Sequence, residues 1–231
     1  MGSPKIGTQM AKTTREKYLE ALGIEIWQSK NSPSPTLNAS TASSESTNSW
    51  QALQTEIQNC QRCPLCKSRT NVVFGVGNPN AELLVIGEAP GANEDLKGEP
   101  FVGRGGMLLN SMLLAIGLKR QDIYIANILK CRPPNNRDPA PEEVALCTPY
   151  LLKQIALIKP KIILAVGRIA AHFLLNTDES MARLRGKHYV YGPDRTPLLI
   201  TYHPAYLLRS PREKSKAYQD LLLVKKALGK L

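Results

Sequence analysis

Five cysteines pose the first chemical question, because a thiolate can ligate a metal, pair in a disulfide or act as a nucleophile. Cys60-Gln61-Arg62-Cys63 is a close pair able to grip one metal centre, and Cys131 and Cys147, with 15 residues between them, make a second pair. Together they form a four-thiolate set that suits zinc and iron-sulfur alike, so spacing alone leaves the metal open. A redox-active dithiol at Cys60 and Cys63, or plain buried thiols, are the other readings. Cys66, past Pro64-Leu65, is expected to stand outside the ligand set. An odd cysteine count, in a chain whose first residues lack the apolar core of a secretory signal, argues against a disulfide framework. Three further groups draw notice: Glu88 within Gly87-Glu88-Ala89-Pro90-Gly91, Asn127, and His203 before Pro204. Each lies at or near the end of an apolar run.

Those runs are the elements that must position them. Glu82–Gly87, Ile123–Leu129, Lys161–Gly167 and Pro197–Tyr202 read as strands. Helical patterns alternate with them over Gly106–Ile116, Pro141–Ile158, Arg168–Leu175 and Arg212–Leu228, with proline in the first turn of the second. Such alternation predicts a parallel sheet covered on both faces, and in these sheets ligands bind outside the carboxyl ends of the strands. Gly75-Val76-Gly77 hints at a nucleotide-binding fold, but those glycines precede the first strand and do not lead from a strand into a helix.

With 231 residues and 42% hydrophobic content, the chain can bury one sizeable core. Residues 1–59 hold five Lys/Arg against five Asp/Glu, so the whole net charge of +11 falls on residues 60–231. A basic surface of this kind attracts nucleic acid by counterion release, or serves only solubility. Thr13–Gln28 shows apolar spacing of one short helix. Between Asn31 and Ser49, 13 of 19 residues are Ser, Thr or Asn, which predicts a disordered linker. The expected organisation is therefore an N-terminal helix and linker over 1–49 and a folded domain over 50–231. No apolar run approaches the roughly 20 residues needed to span a bilayer, so a cytoplasmic protein with no membrane partner is expected.

The chain from about Cys60 to Leu228 resembles the family 4 uracil-DNA glycosylases, the iron-sulfur branch of that superfamily. The likeness rests on blocks in order: Cys60-x-x-Cys63-Pro64-Leu65, Arg69-Thr70-Asn71-Val72-Val73-Phe74-Gly75, Gly87-Glu88-Ala89-Pro90-Gly91, Pro100-Phe101-Val102-Gly103-Arg104, Asn127 through Pro134, Asn136-Arg137-Asp138-Pro139, and Tyr202-His203-Pro204-Ala205. It implies a three-layer α/β/α sandwich on a four-stranded parallel sheet. It also implies a [4Fe-4S] cluster on Cys60, Cys63, Cys131 and Cys147, which orders DNA-binding loops. The expected partner is uracil-containing DNA, single- or double-stranded, met by a monomer.

The resemblance also distributes roles. Phe101 would stack on the flipped uracil, in a site lined by Gly87 and Ala89. Asn127 would accept from N3–H and donate to O4, a pattern that cytosine reverses. His203 would donate to uracil O2, where negative charge develops as the glycosidic bond breaks. Leu207 matches the wedge position that fills the vacated stack, with a core leucine opening a helix as the alternative. Arg132, Arg137, Arg209 and Arg212 would meet phosphates. The chain has Ala89 where the best-known members carry an aspartate, so Glu88 becomes the candidate for orienting water, helped by Asn135 or Asn136. It has Gly91 where a tyrosine often excludes thymine, so Glu94 or Asp95 is expected to supply that block. A non-catalytic or covalently trapping relative is the competing reading. That branch resembles a Gly-Glu-Gln-Pro-Gly motif and an added basic, histidine-bearing loop, and this chain has neither.

Overall fold

The computed structural model describes residues 42–230; the helix expected over 13–28 and the linker residues before Ala42 lie outside the described residues. Helix α1 (Ala42–Gln58) starts inside the stretch expected to be linker, and the compact unit counted from it runs from Ala42. From the Cys60–Cys63 turn the chain runs through a short helix α2 (Leu65–Ser68) and strand β1 (Val76–Gly77) to β2 (Leu83–Gly87). Helices α3 (Ala92–Lys97) and α4 (Arg104–Leu114) then lead to β3 (Tyr124–Asn127). Helix α5 (Pro141–Ile158), β4 (Ile162–Val166), α6 (Arg168–Leu175) and α7 (Met181–Leu184) follow. A hairpin of β5 (Tyr189–Tyr191) and β6 (Thr196–Thr201), then α8 (Pro204–Arg209) and α9 (Lys214–Ala227), complete the unit.

The sheet has six strands, not four, in the order β1-β3-β2-β4-β6-β5. Its four central strands are parallel and are the four apolar runs of the sequence. Both edges are antiparallel additions, β1 on β3 and β5 on β6. The edges escape sequence reading because they are only two and three residues long. Gly77 allows the first: a Cβ there would stand 1.9 Å from the Ile123 carbonyl oxygen. Gly75 and Gly77 therefore serve strand pairing.

Strands β2 and β4 are buried at every position, as continuous apolar strings between two helical layers must be. Alternate side chains enter opposite cores. Leu84, Ile86, Ile163 and Ala165 pack with Leu53 and Ile57 of α1, Leu151 of α5 and Leu174 of α6. Leu83, Val85, Ile162 and Leu164 pack with Leu109 and Leu113 of α4 and Leu221 and Val224 of α9. This is a three-layer α/β fold. Helix α5 has the range its sequence signals give: Pro141 at the first turn, and Glu143, whose carboxylate accepts from the Ala140 N–H at 2.9 Å. Among the described residues no helix is long and apolar enough to cross a membrane.

Candidate active site

The parallel strands deliver β2, β3 and β6 to one edge, where a cavity of about 560 Å³ opens. Glu88, Ala89, Phe101, Asn127, Asn136 and His203, far apart in sequence, all line it. Its volume is that of a small-ligand site. Gly87 is the hinge of the geometry. A Cβ there would stand 2.4 Å from Asn127 Oδ1 and 2.8 Å from the Phe101 ring, so only glycine lets the two approach the strand end.

Asn127 is the most telling residue. It is 2% exposed, and its Oδ1 is buried with no hydrogen-bond partner. A buried, unpaired amide oxygen costs on the order of 1–3 kcal/mol, so this acceptor is left open at the cavity wall. The strand end is held from below by Lys130, itself 1% exposed. Lys130 Nζ donates to the Asn127 carbonyl at 2.8 Å and to Gln154 Oε1 at 2.6 Å, and Gln154 donates to the Phe74 carbonyl. Burial lowers the Lys130 pKa to about 8.

Phe101 sits in the left-handed region at φ 54°, where a bulky side chain is strained. Charged groups clamp that turn from both sides. Glu94 Oε1 accepts from the N–H groups of Val102 and Gly103 at 2.9 and 3.1 Å, and the Arg120 guanidinium donates to the carbonyls of Pro100 and Phe101. The Phe101 ring lies beside the His203 imidazole, centroids 5.6 Å apart and planes 30° apart.

His203 caps α8, and its Nδ1 accepts from the Ala205 N–H at 3.1 Å. An accepting Nδ1 puts the proton of the neutral ring on Nε2, leaving Nε2–H as its donor. Burial, with the positive charge of Arg209 added, lowers its pKa to about 4, so the ring is neutral at ordinary pH. Gly167, at φ 95°, lies under the imidazole; a Cβ there would be 2.9 Å from that of His203. The sequence offers no signal for this tautomer or for Gly167.

Burial, and next the negative charge of Asp138, raises the Glu88 carboxyl above its usual range, against the opposing effect of Arg168. Asn135 and Asn136 both take left-handed φ, 56° and 53°; Asn136 Oδ1 accepts from Arg132 Nε, and Asn135 does not line the cavity. Asp95 is spent elsewhere, accepting from the Thr70 and Asn71 N–H groups, so it cannot serve as a block in the cavity. Glu94 lines the wall while bracing the Phe101 turn. Arg137 is held in a two-pronged pair with Glu143, whereas Arg209 lines the cavity and makes no ion pair among the described residues.

Leu207 corrects the sequence expectation. It is fully buried in the core beneath α8, packed in the same cluster as Leu199 and Leu221, and cannot enter a base stack without unpacking. Its burial fits the alternative reading, a core leucine in a helix.

The cysteines gather at another point of the molecule. Cys60, Cys63, Cys66, Cys131 and Cys147 line one cavity, and none is in a disulfide. Arg69 Nη1 donates to Cys131 Sγ at 3.1 Å, and the Lys130 N–H to Cys147 Sγ at 3.3 Å. Burial raises the thiol pKa of Cys63 and Cys131 and takes that of Cys147 to about 11. Among the described residues no three His, Cys, Asp or Glu side chains stand close enough to share one metal ion.

The molecule is thus a three-layer α/β protein that brings an unpaired amide oxygen and a neutral imidazole to the carboxyl edge of its parallel strands. A family model described as the uracil DNA glycosylase superfamily matches residues 74–223, and the chain belongs to that superfamily. It is 47% identical to the Type-4 uracil-DNA glycosylase of Archaeoglobus fulgidus, over 76% of this chain and 91% of the relative. It is 46% identical to the Type-4 uracil-DNA glycosylase of Thermotoga maritima, over 67% and 80%. The Type-5 uracil-DNA glycosylase of Thermus thermophilus is more distant, 32% identical over 57% and 68%.

Proposed function

We propose that the protein is a DNA-repair hydrolase that takes a flipped uracil into the 560 Å³ cavity, cleaves its N-glycosidic bond and leaves an abasic site. The observation that carries this reading is the orphaned Asn127 Oδ1 on the wall that also presents His203. Uracil N3–H would satisfy that oxygen. Cytosine, with no proton on N3, would leave it unpaired.

In the proposed reaction, Phe101 offers its ring to the base. As the bond lengthens, the sugar gains positive character and O2 gains negative charge, and Nε2–H of His203 stabilises O2 without needing a prior protonation. Glu88 orients the water that reaches the sugar carbon, and Asn136 keeps the rigid loop at the mouth of the cavity. Ala89 leaves room for that water.

The thiol cavity fits an iron-sulfur cluster. N–H donors already aim at two sulfurs, and burial penalises the thiolates of Cys63, Cys131 and Cys147 until a cation compensates. Cys60, Cys63, Cys131 and Cys147 would hold a [4Fe-4S] cluster, spreading four thiolates over four irons instead of crowding them around one ion. When bound, the cluster supplies a rigid cross-link between α1, the Cys131 loop and α5. We further propose a monomer working in the cytoplasm, where thiols such as these stay reduced.

A substitution separates recognition from chemistry. Asn127→Asp should lose uracil selectivity, because a carboxylate cannot donate to O4, while the absorbance of the cluster stays unchanged. Unaltered discrimination between uracil and cytosine in a competition assay would contradict the recognition role.

A further inference from the structure

Beside the base cavity lies a second one of about 610 Å³, which the reaction just described does not use. The two share Glu88, His203, Ala205 and Arg209, so they adjoin across those residues. Its floor is aromatic: Tyr206 is 37% exposed and leans on Tyr202, ring centroids 5.1 Å apart. Helical geometry explains the exposure, since burying Leu207 turns the preceding residue of α8 outward. Arg168 and Arg209 supply positive charge at the rim. Arg168 pairs with Asp138 at 3.0 Å, but both are more than half exposed, a weak pair that a phosphate can displace.

We propose that this second cavity is a subsite for the nucleotide next to the flipped uracil in the same strand. Tyr206 stacks on the neighbouring base, in the role the sequence assigned to Leu207, and Arg168 and Arg209 meet the flanking phosphates. The proposal rests on the glycosylase reading and deepens it. An aromatic face suits any base, so the subsite is indifferent to the identity of the neighbour.

The test is a cycle between protein and DNA. Binding is measured with an oligonucleotide carrying a non-cleavable 2′-fluorinated deoxyuridine, with its natural neighbours or with a tetrahydrofuran spacer replacing one neighbour on either side. Tyr206→Ala should weaken binding of the natural sequence roughly tenfold, the usual scale for one lost base–aromatic stack, and Tyr206→Phe should restore it. With the spacer on one side, wild type should lose the same factor and Tyr206→Ala nothing further, which is coupling. Losses that simply multiply for spacers on both sides would overturn the subsite. Wild type that releases no uracil from an ordinary deoxyuridine oligonucleotide would overturn the glycosylase reading beneath it; release with multiplying losses overturns this inference alone.

Discussion

His203 ties the chemistry to particular atoms. Its Nδ1 is occupied by the Ala205 N–H and burial lowers its pKa to about 4, so in the proposed reaction the ring serves as a neutral donor. Replacing it with alanine should slow single-turnover cleavage by ~10²–10³-fold, the usual cost of one such donor, with a much smaller change in affinity for uracil-DNA. The pH profile follows in sign. The imidazole contributes no break near 6.5, because its proton binds only toward pH 4. If Glu88 orients water as proposed, it acts ionised from a raised pKa, so the rate should fall as pH drops through a value above the usual 4.5, and Glu88→Gln should remove that limb. A limb near 6.5 that vanishes in His203→Ala would contradict the neutral-donor assignment. Residue types and motif order made Glu88, Phe101, Asn127 and His203 legible in the sequence. The tautomer, the unpaired oxygen and the Gly87 clearance were not, because they depend on distances between segments that only folding brings together.

At the scale of elements, hydrophobic periodicity reads out the four parallel strands and helices α4, α5, α6 and α9, with α5 and α6 placed to the residue, but misses α1, whose first half is the Ser/Thr/Asn-rich stretch read as linker. Short pieces failed for a physical reason. Two- and three-residue edge strands carry no period, and six-residue α8 reads as a loop until its neighbours bury Leu207. Leu207→Ala should consequently behave as a core mutation, costing ~2–5 kcal/mol in urea unfolding, while the folded fraction cleaves at a near-normal rate. Lys130 joins two elements, from the Asn127 carbonyl on β3 to Gln154 on α5. Lys130→Met should leave both acceptors unpaired, lowering stability by about 1–3 kcal/mol per acceptor and weakening inhibition by free uracil. Uracil inhibition equal to wild type in a destabilised Lys130→Met protein would confine that lysine to a purely structural part.

For the whole molecule, two long-range features remain to be joined to the site: the thiol cavity and the charge. Purified protein should be brown, with broad absorbance near ~400 nm from thiolate-to-iron transitions. Serine at Cys131 or Cys147 should remove the colour and DNA binding together, whereas serine at Cys66 should remove neither. A colourless, fully active protein with one zinc would sink the cluster proposal. Because the +11 excess lies in residues 60–231, affinity for DNA should fall steeply with salt. Uracil excision itself is read most directly by incubating the intact protein with an end-labelled oligonucleotide bearing one uracil, treating with alkali and resolving the fragments. We expect scission at the uracil and none at thymine or cytosine in the same position; an oligonucleotide left whole, or retained as a covalent adduct with no free uracil, would contradict the account.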